Sequence, residues 1–162
     1  MRALDPVVDY RLAEASDRGA VVALLQAENL VTIDLTPSGV LLLLAHADGH
    51  LAGVVGIQPR GRVGLIRSLA VERDFRGLSI GHALVARAEA LAADSGLHTL
   101  FLLTDGATTF WTKYGYVAVP RVDVPPEIQD TAQFTSLCPA SAVCMRHVLS
   151  DPERSGVAQK HL

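Results

Sequence analysis

One short stretch of the chain combines a fixed positive charge with glycines at the entrance to a predicted helix. Arg76 is followed by Gly77 and Gly81, and a β-type run from Val63 to Val71 precedes them. A strand that leads through such a turn into a helix aims backbone N–H groups at one point, which is how proteins hold phosphate. Glycine lets a ligand approach the backbone, and arginine matches phosphate oxygens with parallel donors. The stretch therefore predicts a site for a diphosphate.

Two other phosphate-binding patterns are excluded. The spacing of the glycines differs from the dinucleotide fingerprint, and no acidic residue ends a following strand. A P-loop is excluded because no Gly-Lys-Ser/Thr sequence follows the glycines. The alternative that remains is a structural turn with surface arginines.

The composition predicts one globular domain. The chain has 162 residues, of which 49% are hydrophobic and 19% are charged, and these proportions argue against disorder. We place the domain at about residues 1–150. Residues 151–162 are predicted to form a flexible tail, because they are polar, charged or small.

Charge and apolar runs limit the expected partners. The net charge of −3 gives no reason to expect a nucleic-acid partner. No apolar window is long enough to span a membrane, so no membrane partner is expected. The first residues carry charges rather than a signal-peptide core, which favours a cytoplasmic protein. In that compartment Cys138 and Cys144 are expected to be free thiols.

Periodicity and turn residues predict an α/β (α+β) fold with a mixed sheet of six to seven strands, an antiparallel first half and about four helices. The centre contains one strand-helix-strand unit, in which a helix from Ser79 to about Asp94 precedes a buried strand. Strands are predicted at Val7–Ala13, Val40–Ala47, Leu51–Gln58, Val63–Val71, Leu97–Thr104, Tyr116–Val119 and Ser141–Val148, and further helices from about Asp17 (capped by Ser16), at Ala107–Tyr114 and within 125–136.

Three segments of the chain match a pattern known from one protein family. Residues 69–71 read Leu-Ala-Val, residues 76–81 read Arg-Gly-Leu-Ser-Ile-Gly, and residues 110–116 end in Gly-Tyr. Together they resemble the fourth strand, the Arg/Gln-x-x-Gly-x-Gly/Ala signature and the second-half helix of the GCN5-related N-acetyltransferases (GNAT). Ser79 stands in place of the central glycine of that signature. The resemblance covers roughly residues 7–149.

A finer resemblance lies near the end of the chain. Residues 138–145 read Cys-Pro-Ala-Ser-Ala-Val-Cys-Met, which is similar to the last strand of the small arsenic-resistance N-acetyltransferases, within the amino-acid acetyltransferase branch. The resemblance implies that the acceptor is the α-amino group of glutamate or of an antimetabolite such as arsinothricin or phosphinothricin.

The family resemblance implies acetyl-CoA as co-substrate and no required metal. Backbone groups of Leu69, Ala70 and Val71 would pair with the pantetheine like an added strand. A backbone N–H near Val71 would polarise the thioester carbonyl. The diphosphate would lie on Arg76, Gly77, Leu78, Ser79, Ile80, Gly81 and His82.

Proton transfer is the least defined part of the predicted chemistry. Trp111 occupies the position where many relatives have a tyrosine that acts as the general acid, and an indole does not serve as that acid. Tyr114 is the candidate to protonate the leaving thiolate. The alternatives are a packed aromatic ring there and a thiolate that leaves without a side-chain acid. Glu28 is the candidate general base, acting through water, or else a solvated helix residue.

Two polar side chains are candidates for binding the acceptor. Arg67 interrupts an apolar strand and suits a carboxylate held bidentately, with an internal ion pair as the alternative. Strand alternation places Ser68 on the opposite face. Thr104 ends the next strand and either contacts the acceptor or caps the following helix.

The leading hypothesis is an N-acetyltransferase whose partner is a small-molecule amine, specifically a small acidic amino acid or its toxic analogue. The alternatives are acetylation of a protein or another amine, and a non-catalytic module that binds acyl-CoA or senses a metalloid. Two cysteines six residues apart with no third ligand are weak evidence for a metalloid. Whether the chain forms a homodimer stays open.

Overall fold

The structure is a computed structural model that describes residues 6–30, 32, 35, 39–137 and 141–149. Its strands are β1 Val8–Leu12, β2 Leu41–Ala47, β3 His50–Arg60, β4 Val63–Val71, β5 Thr99–Thr104, β6 Val117–Ala118 and β7 Val143–Val148. Its α-helices are α1 Arg18–Ala27, α2 Ile80–Asp94, α3 Thr108–Thr112 and α4 Pro126–Gln129. Short 3₁₀ turns cover Ala15–Asp17, Arg73–Phe75 and Arg121–Asp123, and a π-helical turn covers Gln133–Leu137.

The strands form one seven-stranded sheet in the order β1-β2-β3-β4-β5-β7-β6. β1 and β2, and β2 and β3, pair in antiparallel fashion, whereas β4 and β5 are parallel and are joined through α2. Parallel neighbouring strands need such a crossover, because a tight turn joins only strands that run in opposite directions. The predicted mixed sheet with its antiparallel first half is confirmed.

The turn between β2 and β3 is a tight Asp-Gly hairpin that joins two of the predicted strands. Asp48 and Gly49 both have left-handed φ angles, of 49° and 83°. Two consecutive positive φ angles give the turn whose twist matches the two flanking strands, and Asp-Gly is a preferred pair for it.

The start of α1 differs from the prediction. Ser16 was expected to cap this helix, but it lies inside the 3₁₀ turn, and Asp17 is the residue that precedes the helix. The Asp17 carboxylate accepts a hydrogen bond from the Glu14 N–H at 2.8 Å and pairs with Arg11 at 2.7 Å. An aspartate can therefore organise the helix entrance that a serine was predicted to make.

The chain divides into two compact units, each built on its own apolar contacts. The first comprises Met1–Ile57 and Arg67–Ala88, and the second Gln58–Ile66 and Glu89–Leu162. The first unit contains a buried cluster of Val21, Leu24, Leu25, Leu35, Leu44, Val54 and Ala70. The second contains Val63, Leu65, Phe101, Val124, Ile128 and Cys144.

Gly53 of β3 lies where a side chain would not fit. A Cβ there would approach Leu84 Cδ1 to 2.9 Å, the Ala70 carbonyl oxygen to 3.1 Å and Ile80 Cγ2 to 3.2 Å. Since Ile80 is the first residue of α2, the absence of a side chain at Gly53 lets the start of this helix pack closely on the strand.

Candidate active site in the β4–α2 loop

The loop from β4 to α2 is held at its beginning by two hydrogen bonds of Glu72, one from its backbone and one to its side chain. The Glu72 N–H donates to the Ala52 carbonyl at 2.7 Å, which ties the loop to β3. The Glu72 carboxylate accepts from the Asp74 N–H at 2.7 Å and so caps the 3₁₀ turn. The loop is therefore fixed relative to β3 before it reaches α2.

Two residues of the loop have left-handed backbone conformations. Gly77 has a φ of 85° and Ser79 a φ of 61°. Ser79 is followed directly by the right-handed helical residue Ile80, and a left-handed residue beside a right-handed one makes a concave row of backbone N–H groups that binds anions. Among the residues that the structure describes, and apart from its chain neighbours, nothing lies within 4 Å of a Cβ built on Gly77, so this backbone is approachable.

The loop continues directly into the N-terminus of α2. The first hydrogen bond of this helix joins the Ala83 N–H to the Ser79 carbonyl at 3.0 Å. N–H groups that precede the first such bond point out along the helix axis, and the helix dipole favours negative charge at this end. Loop and helix end together fit the diphosphate predicted from the sequence.

The left-handed conformation of Ser79 explains why the family signature has a glycine at this position. A left-handed conformation costs a non-glycine residue roughly 1 kcal/mol or more. We therefore expect Ser79→Gly to raise the free energy of unfolding by up to about 1 kcal/mol, offset in part by the greater freedom of glycine in the unfolded chain. Chemical denaturation measures this difference.

Gly77→Ala is the matched control, because Gly77 is also left-handed and has open space around it. This substitution should lower the free energy of unfolding by about 1 kcal/mol through the backbone alone. A loss of stability in Ser79→Gly would show that the serine hydroxyl supports the turn.

The Arg76 guanidinium folds back towards the end of β4. Its Nε donates to the Val71 carbonyl at 3.2 Å, and its Nη2 forms an ion pair with the Glu28 carboxylate. Glu28 is the residue that caps the C-terminal end of α1. The Arg76 side chain is 50% exposed and that of Glu28 is 24% exposed, so solvent and ligands reach the pair. The structure thus brings together two candidate residues that sequence reasoning had given separate tasks.

The backbone of β4 changes conformation next to Arg67. Arg67 is 6% exposed, and its Nε donates to the Ser68 Oγ at 3.0 Å. Ser68 has a left-handed φ of 59° within the strand. The prediction that the two side chains lie on opposite faces is wrong, because regular alternation holds only for extended backbone.

The last residues of β4 extend past the parallel register with β5. That register pairs Val63, Gly64 and Leu65 with Thr99, Leu100 and Phe101, whereas β4 continues to Val71. Ala70 is buried, while Leu69 and Val71 are half-buried. The three residues predicted to hold pantetheine therefore lie in a strand segment beyond the three β4–β5 pairs given above.

In the second unit, Thr104 makes a contact typical of a helix entrance. Its Oγ1 accepts a hydrogen bond from the Ala107 N–H at 3.2 Å, just before α3. Thr104 is 8% exposed. Of the two interpretations from the sequence, this contact supports the capping one, and contact with an acceptor stays a prediction.

Aromatic rings pack together on and after α3. Trp111 is buried and lies 5.2 Å from Phe110 and 5.1 Å from Tyr116 between ring centroids. Tyr114 lies 5.0 Å from Phe110 and is half-buried. The role of Tyr114 as an acid stays a prediction, and its ring also contributes to this packing.

A group of titratable side chains in the second unit was missed from the sequence. The Tyr116 hydroxyl donates to the Glu89 carboxylate at 3.0 Å, and His147 Nε2 lies 3.8 Å from the same oxygen. Burial raises the pKa of Glu89 and of Tyr116. The available signal was a carboxylate at position 89 beside the apolar stripe of α2, next to Ala88 and four residues after Val85.

The raised pKa of Glu89 predicts a pH-dependent stability. Because the folded pKa lies above the ordinary 4.5, the stability that Glu89 contributes is fully present below about pH 4.5 and is lost as the pH rises through the folded value. Glu89→Gln keeps an acceptor for Tyr116 without the charge. We expect it to melt at a higher temperature than the unaltered protein at pH 7.5, with the difference shrinking towards pH 4.5.

Thermal melts of both proteins at the two pH values measure this effect. Glu127→Gln, which removes an exposed carboxylate on α4, should leave the melting temperature unchanged at either pH. An equal effect of Glu89→Gln at both pH values would contradict the burial argument.

The metalloid alternative finds little support in the described residues. Cys144 is a buried free thiol, and burial raises its pKa to about 11, so it stays protonated at neutral pH. Cys138 lies outside the described residues. Within the described part of the chain, no group of three or more His, Cys, Asp or Glu side chains is placed to hold a metal. In the same part, every helix is too short or too polar to cross a bilayer.

Comparison with known families identifies the family of the chain that carries this loop. The model of the acetyltransferase (GNAT) family matches residues 10–116, which include β4, the loop and α2. The chain belongs to the GNAT family. An uncharacterized N-acetyltransferase of Chlorobaculum tepidum is 35% identical over 79 residues, which are 49% of this chain and 48% of that protein. The GNAT chain thus matches about half the length of this curated relative.

Solved structures share the fold. Rv2747 from Mycobacterium tuberculosis, in complex with CoA and NLQ, superposes with a TM-score of 0.71 at 27% identity, over 90% of the GNAT chain and 100% of its own. N-acetylglutamate synthase from Neisseria gonorrhoeae, with coenzyme A and N-acetyl-glutamate, has a TM-score of 0.76 at 18% identity, over 91% and 36% of the two chains. The predicted GNAT fold is confirmed.

Proposed function

We propose that this GNAT chain transfers an acetyl group from acetyl-CoA to the α-amino group of a small acidic amino acid, or of a toxic analogue such as arsinothricin or phosphinothricin. The observation that carries the proposal is the left-handed pair Gly77 and Ser79 at the N-terminus of α2, beside the Arg76 charge. Family membership and the CoA complex of Rv2747 support the choice of cofactor.

The chain's own residues supply the binding of the cofactor. Backbone N–H groups of Gly77 to His82 would hold the diphosphate, together with the Arg76 guanidinium. The backbone of Leu69, Ala70 and Val71 would pair with the pantetheine arm. Acetyl-CoA supplies an acetyl group that is activated as a thioester.

Three groups would act on the reacting atoms. The Val71 N–H would donate to the thioester oxygen, where negative charge develops as the amine nitrogen bonds to the acetyl carbon. Glu28 would accept the proton of the ammonium through water. As the carbon–sulfur bond breaks, Tyr114 or water would protonate the thiolate, whose ordinary thiol pKa makes it a tolerable leaving group.

Arg67 is proposed to select an acidic acceptor. Its guanidinium is buried, so a carboxylate would meet it with little competition from water. Thr104 is a second proposed acceptor contact.

A thiol-release assay with glutamate, phosphinothricin, lysine and a lysine-containing peptide tests the proposal. Turnover of the two acidic amines is expected, with little from the others. Turnover of lysine or the peptide instead would favour the second enzyme hypothesis. Tight CoA binding without turnover would favour a non-catalytic module, and no CoA binding in calorimetry would refute both.

A further inference from the structure

The ion pair between Glu28 and Arg76 joins two residues that the proposed function assigns to different ligands. Glu28 ends α1, and Arg76 begins the turn that leads to α2. Arg76 is proposed to meet the diphosphate and Glu28 to accept the proton of the acceptor amine. In the structure the two side chains form an ion pair, so each charge is neutralised by the other.

The pair uses the part of the guanidinium that an incoming phosphate needs. An arginine grips an anion bidentately through either Nε and Nη2 or Nη1 and Nη2, and Nη2 belongs to both edges. Here Nε is bonded to the Val71 carbonyl and Nη2 to Glu28. Nη2 carries one N–H on each edge, so a phosphate at either edge would share this nitrogen with the Glu28 carboxylate, and the two neighbouring anions would repel each other.

Solvent exposure makes an exchange of partners feasible. The Arg76 side chain is half exposed, and exposed ion pairs contribute only about 0–1 kcal/mol. A diphosphate at the loop would accept charge-assisted hydrogen bonds from Arg76 and from several backbone N–H groups at once, whereas the ion pair with Glu28 offers Arg76 one carboxylate. A diphosphate is therefore the better partner for Arg76.

We propose that Glu28 and the cofactor's diphosphate compete for Arg76, so that cofactor binding frees the Glu28 carboxylate for the acceptor amine. This inference rests on the proposed function, since it assumes that CoA binds at the loop. Without cofactor, Glu28 is held by a cation and is less available to take a proton. The proton acceptor becomes available only when the acetyl donor is in place.

Calorimetric titration of CoA into four single or double variants tests the competition. Glu28→Gln should bind CoA about two- to fivefold more tightly than the unaltered protein, because the competing charge is gone. Glu72→Gln is the matched control, since it removes a carboxylate from the same loop. The Glu72 carboxylate accepts a hydrogen bond from the Asp74 N–H rather than pairing with Arg76. Its effect on CoA binding should be smaller. In an Arg76→Ala background, adding Glu28→Gln should produce no further change.

Each outcome bears on the inference separately from the proposed function. An unchanged or weaker CoA affinity in Glu28→Gln would overturn the competition, while CoA binding that depends on Arg76 would leave the proposed function standing. Equal tightening with and without Arg76 would show a general charge effect and would also overturn it. If Arg76→Ala binds too weakly for calorimetry, ligand-observed NMR at millimolar CoA gives the same comparison without turnover.

Discussion

Replacing Arg67 with methionine is expected to raise the KM for glutamate by about tenfold to a hundredfold and to leave the KM for acetyl-CoA nearly unchanged. A hydrogen bond to a charged partner contributes about 1.5–3 kcal/mol, and each 1.4 kcal/mol corresponds to a factor of ten. Methionine fills much of the same volume, so the substitution removes the charge with little loss of packing. Steady-state kinetics with each substrate varied in turn measures the two constants.

The alternative role of Arg67, an internal ion pair, predicts a different result. It would lower the melting temperature and would change both KM values alike or neither. Arg67→Lys is the informative companion, because lysine keeps the charge but cannot make the two parallel bonds of a guanidinium. A partial recovery of the glutamate KM in Arg67→Lys would support a carboxylate contact, and equal effects on both substrates would count against it.

Gly53→Ala is expected to lower the free energy of unfolding by about 1–3 kcal/mol, the usual cost of overpacking a tight core. The new methyl group would press on the Ala70 carbonyl at 3.1 Å, which is backbone and cannot rotate away. It would also press on Ile80, the first residue of α2. We therefore expect weaker CoA binding as well as lower stability.

Gly19→Ala is the control for this substitution. It makes the same chemical change in α1, where the described residues beyond the helix's own backbone leave 4 Å free around the new Cβ, and it should stabilise the protein by about 0.5–1 kcal/mol. Urea denaturation and calorimetry with CoA measure the two effects. Unchanged CoA affinity in a destabilised Gly53→Ala protein would show that packing at Gly53 does not affect the loop proposed to bind CoA.

The elements that follow local rules were predictable from the sequence. The Asp48-Gly49 turn was predictable because only a few residue types tolerate two left-handed positions in a row. The apolar period of α2 and the Gly96 that ends it, with a φ of 89°, fixed that helix to within one residue. The anion site proposed for the loop could also be predicted from neighbouring residues, because backbone direction and glycine content favour it.

The features that depend on distant or irregular backbone were not predictable. The contact between Glu28 and Arg76 joins two helix ends that lie far apart in the sequence. The residues around either one do not indicate the other as its partner. The contact of Glu89 with Tyr116 is of the same kind. The left-handed Ser68 was missed because periodicity assumes a regular strand, and nothing in its neighbours signals the change.

The conformation of Ser68 sets which residues evolution or a mutational library can accept there. Branched side chains such as valine and isoleucine are excluded from a φ near 59°, although they are otherwise favoured in strands. Glycine, asparagine and aspartate tolerate this conformation. At position 68, the ordinary ranking of residues by strand preference is therefore reversed.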